Sequence, residues 1–153
     1  MVIYFFKPRV IFAITIIFFI FVKQSYSNEF DNVSACAGVI MGEGATELRD
    51  LQNEENFDDA FELAIKAFYG EGLSKKRSEE DIVIAENIIA SNVDKIYMQP
   101  EWTAEVYEEV IRCYRILGLK VLEKSNLIKN NINMINQYIN KYKLRFKRMI
   151  NAG

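Results

Sequence analysis

The 153-residue chain has no histidine at all. That single absence removes imidazole acid–base catalysis, the His-activated serine or cysteine nucleophile, and most zinc and di-iron sites. Proline is nearly missing, occurring only at Pro8 and Pro100, so little in the sequence interrupts long helices. The cysteines are two, Cys36 and Cys113, too far apart for a Cys-x-x-Cys redox motif. There is no P-loop and no EF-hand loop. The acidic clusters at 54–62 and 105–109 single out no pair of carboxylates by spacing and read as solvated helix faces. No catalytic residue, metal or cofactor is therefore expected, and the chain is not read as an enzyme.

What the sequence does have begins with its longest apolar run, residues 10–22. Lys7 and Arg9 precede it and Lys23-Gln24-Ser25-Tyr26-Ser27 follows, the three-part order of a secretory signal. Ser25 and Ser27 supply the small residues that cleavage requires, which places the signal peptide at 1–27. A membrane anchor needs about 20 apolar residues, and Lys7-Pro8-Arg9 blocks any backward extension of this run. An uncleaved tether stays as the alternative. Val33-Ser34-Ala35-Cys36 loosely matches a lipoprotein box, but polar residues separate Cys36 from the apolar run and the spacing is wrong. Export to the periplasm or the extracellular space puts both cysteines somewhere oxidising, so Cys36 and Cys113 are read as a disulfide.

Charge is divided along the chain. All 21 acids lie within 28–123, whereas 124–153 holds seven bases and no acid. This divides the expected mature chain into an acidic helical core, 28–123, and a basic amphipathic C-terminal helix, 124–153, packed on the core or self-associating. Apolar residues recur at three and four, never at two, so the fold class is all-α: a small bundle of four to five helices behind the signal peptide.

The first of these helices is predicted over 29–41, with Phe30, Val33, Cys36 and Ile40 on one stripe and Gly42-Glu43-Gly44 ending it. Ser34, Ala35, Ala37, Gly38 and Gly42 keep its remaining surface small enough for a neighbour to approach closely. Residues 46–57 read as a loop or helix start. A second helix is predicted over 56–69, stopped by Gly70 and Gly72. Ser78 to Asp81 resembles a capping box opening a third helix that runs to Ile96. Pro100 and Glu101 open a fourth, with Trp102, Val106, Val110, Cys113 and Leu117 facing inward. Finally Ile128, Ile132, Ile135, Ile139, Tyr142, Phe146 and Met149 alternate steps of four and three, a coiled-coil-like seam over 126–150, and the apolar Leu119 to Leu122 leave room for it to run on from helix four.

Two surface features are candidate binding sites. The basic C-terminal helix interleaves Lys141, Lys143, Arg145, Lys147 and Arg148 with Tyr142 and Phe146. It suits packing on the acidic core, a homo-oligomer through 128–149, or an anionic membrane surface. The turn at 70–78 gathers Lys75, Lys76, Arg77 and Ser78 ahead of a helix N-terminus, a weak anion site. Over a handful of residues, the Cys-x-Gly-x-x-x-Gly of Cys36 to Gly42 and the second helical Cys resemble small periplasmic helical proteins that act by binding, among them acid-stress chaperones and toxin-immunity proteins. That resemblance implies a protein partner. Nucleic acid is not expected for an exported chain.

Overall fold

The described residues form six helices: α1 (Pro8–Leu51), α2 (Glu54–Ser74), α3 (Glu79–Tyr97), α4 (Ala104–Glu123), α5 (Ser125–Asn130) and α6 (Ile132–Ala152). This computed structural model describes the backbone of residues 8–152 and the side chains of 29–152; the signal peptide expected at 1–27 and its cleavage site lie outside the described side chains. Among the described residues there is no strand. The all-α expectation holds, with six helices in place of four or five.

α1 is the axle of the bundle. From Val33 to Ala45 every residue except Ala35 is buried, because α2, α3 and α4 pack around it. The single inward stripe predicted for this segment is therefore too narrow; α1 is buried on nearly all sides. Its small residues make that geometry feasible. A Cβ added at Gly42 would lie 2.9 Å from Ile96 Cβ of α3, and one at Gly44 would lie 2.7 Å from Ala60 Cβ of α2. α5 and α6 then pack on α2.

Gly42 and Gly44 thus do not end the first helix, which continues to Leu51. Gly70 and Gly72 likewise lie inside α2, which runs to Ser74. At these positions glycine serves close packing: a Cβ at Gly70 would lie 3.0 Å from Ile128, and one at Gly72 would lie 3.2 Å from Ile82. The left-handed turns fall elsewhere, at Gln52 (φ 54°) between α1 and α2 and at Lys76 (φ 49°) after α2. α2 ends in a Schellman motif, with Arg77 N–H donating to Gly72 O and Lys76 N–H to Leu73 O, and Lys76 holds the left-handed position that glycine usually fills.

The region predicted as loop or helix start at 46–57 is mostly helical, divided between the end of α1 and the first turn of α2. Asn53 caps α2 by accepting from Asn56 N–H, and Glu54 and Glu55 sit in the first turn where the helix dipole favours them. α3 opens on the predicted capping box, Ser78 and Asp81 each bonding the other's backbone N–H. α4 starts later than expected, at Ala104, so Pro100 and Trp102 belong to the preceding connection and Trp102 packs edge-on against Tyr107. The seam helix over 126–150 is broken at Asn131, whose side chain bonds back to Leu127 O at 2.9 Å, giving α5 and α6. Helices four and five are also separate, turning at Lys124.

Candidate functional site

Two points of chemistry stand on α1. Cys36 and Cys113 are both fully buried and form a disulfide, with their Cα atoms 4.9 Å apart across 77 residues of sequence. It fastens α1 to α4 in the centre of the core, and it points to a non-cytoplasmic compartment. With its sulfur engaged in this bridge, Cys36 is not the lipid-bearing residue of a lipoprotein box.

About two helical turns beyond Cys36 lies Glu43, 8% exposed. Its carboxylate accepts from Asn56 Nδ2 of α2 at 2.9 Å and from Tyr114 Oη of α4 at 2.8 Å, so one side chain joins three helices. Burial raises its pKa above the ordinary glutamate value, more than the two hydrogen bonds lower it, and nearby Glu47 adds to the rise. A raised acid contributes stability that is present below about pH 4.5, its unfolded pKa, and is lost as pH climbs through the folded value. Glu43→Gln keeps both contacts, since its amide can donate to the Tyr114 oxygen while its carbonyl accepts from Asn56. We expect this variant to melt higher than the parent at pH 7, with the gain vanishing near pH 4, as read by thermal unfolding across pH. An equal gain at both pH values would rule out a titration effect.

A second charged cluster closes the other end of the bundle. Glu71 of α2 is fully buried, with Lys75, Lys120 and Lys124 Nζ at 3.8, 3.9 and 3.9 Å from its oxygens. Lys120 also bonds Glu29 of α1 and Glu123. The hydrogen bond from Lys120 holds the Glu29 carboxyl below its usual range, and bonds from Lys124 and Lys120 take Glu123 down to about 2. These lowered acids contribute in the opposite sense to Glu43: their stabilisation is present above about pH 4.5 and is lost as pH falls through the folded values.

The basic helix packs on the core. Phe146 meets Phe61 edge-on with centroids 5.0 Å apart, and Tyr142 Oη donates to Glu86 Oε1 at 2.6 Å. Lys143 pairs with Asp58 at 3.0 Å and Lys147 with Glu54 at 3.2 Å, so two of the five bases answer acids of α2. Lys141, Arg145 and Arg148 are exposed and in no ion pair among the described residues, beside the half-exposed Leu144 and Met149. Exposed pairs are worth about 0.2–1 kcal/mol each. Lys143→Ala with Lys147→Ala should accordingly lower the melting temperature by only about 2–4 °C, most of it erased at high salt. Along the seam Ile128, Ile135 and Ile139 are buried in the chain's own core, and pairing with a second copy through them would require α5 and α6 to leave α2.

Of the four residues expected to hold an anion, the structure divides the roles. Lys75 is engaged by Glu29 and Glu71, and Ser78 caps α3. Lys76 and Arg77 line a cavity between α2, α3 and α6, where Arg77 also lies 5.0 Å over the Phe30 ring.

One feature escaped the sequence reading. α4 buries Val106, Val110, Cys113 and Leu117 as expected, yet its outer face carries a second apolar strip. Tyr107, Ile111, Leu119 and Leu122 are 54–73% exposed, and nothing approaches within 4 Å of where a Gly118 Cβ would lie. The signal was faint, steps of four, eight and three with Arg115 standing in the gap, and one buried stripe on a helix draws attention from the other side.

No protein-family model, curated protein or solved structure matches this chain. Among the described residues no helix is long and apolar enough to cross a membrane, and no group of three potential metal ligands occurs.

Proposed function

We propose that this chain is an exported helical protein, stapled by its disulfide, that acts by binding a protein partner and not by catalysis. The observation that carries the reading is the bridge itself, buried at the centre of the core and joining segments 77 residues apart. Such a bond persists in the periplasm or outside the cell and is reduced in the cytosol. The leader at 1–27 accounts for how the chain reaches that compartment.

The partner surface we assign to this reading is the outer strip of α4. From Tyr107 to Leu122 it runs about 22 Å, four helical turns. Exposed Arg112 and Arg115 stand on this helix in no ion pair among the described residues. An amphipathic helix with acids flanking its apolar face complements both features, and Gly118 leaves a gap for one of its side chains.

Mass spectrometry of the protein from its host, with and without reductant, tests export: the mature chain should begin at Asn28 and gain two hydrogens on reduction. Full-length, thiol-reduced protein overturns the reading. A photo-crosslinking residue at Leu119 tests the surface in living cells, where an adduct with a different protein is expected and an adduct only with itself counts against it.

A membrane-surface reading is favoured by one observation, the outward patch of Lys141, Leu144, Arg145, Arg148 and Met149 on α6. It predicts retention on vesicles of anionic lipid that moderate salt reverses, with loss on Arg145→Glu.

A further inference from the structure

The end of α2, the start of α3 and the first half of α6 line an open cavity of about 570 Å³. Its size is that of a pocket for a small organic ligand, for which roughly 300–1,000 Å³ is usual. Leu73, Ile82, Met134 and Tyr138 give it an apolar wall, and Tyr138 is fixed there by stacking on buried Tyr69 with centroids 4.2 Å apart. Lys76 and Arg77 give it a cationic edge. Apolar depth beneath two cations is chemistry for a molecule with a tail and a negative head.

We propose that this cavity binds an amphipathic organic anion: a carboxylate or phosphate head at Lys76 and Arg77, with a single aliphatic tail against Ile82, Met134 and Tyr138. A second, independent feature points to the head site. Lys76 occupies the left-handed position of the α2 Schellman motif at φ 49°, where an L side chain costs stability and glycine does not. Lysine is a poor choice there for the fold, and no ion pair among the described residues offsets it. A bound anionic head would. The cavity's one acid, Glu79, is in the first turn of α3, which places the head on the α2 side of the opening.

Titration calorimetry of the oxidised protein, as purified from its host, with dodecanoate, dodecyltrimethylammonium and acetate tests this. Dodecanoate should bind, the cation of equal tail length should bind at least about tenfold more weakly, and acetate should not bind. Lys76→Glu should weaken dodecanoate about tenfold or more and Glu79→Gln should tighten it. Val83→Glu puts an acid into the tail wall at a position already 56% exposed, so it should abolish binding with the fold intact. Lys76→Gly separates function from folding: it should lose affinity as Lys76→Glu does while its melting temperature holds or rises. Retention on phosphatidylglycerol vesicles as well as binding of monomeric dodecanoate identifies a membrane lipid as the source of the head, and binding of the monomer alone identifies a free amphiphile. Absence of dodecanoate binding, equal binding of the cation, or indifference to Lys76→Glu overturns the proposal.

Discussion

Cys36→Ala with Cys113→Ala lowers stability by about 4.5 kcal/mol, the chain-entropy value for a closed loop of this length, and the melting temperature by roughly 15 °C. The size follows from where the bond sits. It joins the central helix to α4 across 77 residues, so the oxidised unfolded chain is denied most of the conformations that would separate those two segments. Equilibrium urea unfolding checks both halves of this statement: the midpoint falls, and the slope with urea rises because the uncrosslinked chain exposes more surface when unfolded. Reduction of the native protein should reproduce the double variant, since both sulfurs lie in an apolar setting that alanine fills. Domains of this size are stable by about 5–15 kcal/mol, so the reduced chain in a cytosol would keep only a fraction of its margin. A midpoint unmoved by reductant would mean that the bridge adds nothing to the stability of the packed helices.

The features legible from sequence were those fixed by local chemistry or strict period. The Ser78–Asp81 capping box and the inward residues of α4 followed from spacing alone, and the pairing of Cys36 with Cys113 followed from an even cysteine count behind an export signal. Glycine misled. Gly42, Gly44, Gly70 and Gly72 read as helix stops, yet all continue helices and mark where another helix comes close. The residues at the true left-handed turns, Gln52 and Lys76, carry no sequence signal for that role. A glycine's spacing cannot say whether it is needed for its backbone or for its lack of a side chain; only the neighbouring helix decides. The same blindness hid the cavity, because Leu73, Ile82 and Tyr138 belong to three helices and look like ordinary core residues until the helices are assembled. Lys76 and Arg77 were marked as an anion site for their charge, whereas the apolar wall beside them came only with the fold.

Gly38 and Gly118 turn that ambiguity into a measurement. Both lie inside helices, where replacing glycine by alanine gains about 1 kcal/mol of intrinsic helix propensity. At Gly118 nothing stands within 4 Å of the new methyl group, so Gly118→Ala should be stabilising by about 0.5–1 kcal/mol. At Gly38 the same methyl collides with the Ile89 carbonyl oxygen and lies 2.7 Å from Asn92 Cβ. The Ile89 oxygen is backbone and cannot swing away, so α3 must move off the axle helix and loosen contacts around Ile89 and Val93. Overpacking of this kind costs about 1–3 kcal/mol and occasionally more, which outweighs the propensity gain and makes Gly38→Ala destabilising, with Gly38→Leu worse. The two variants should therefore move the urea midpoint in opposite directions although the chemical change is identical. If both are stabilising, α1 and α3 do not meet at Gly38 as closely as described. The consequence reaches the staple, because α1 carries Cys36 two residues from Gly38: in Gly38→Leu, displacement of α3 leaves α1 held by α2 and by its bridged contact with α4, and reduction should then start from a lower midpoint than it does in the unsubstituted protein.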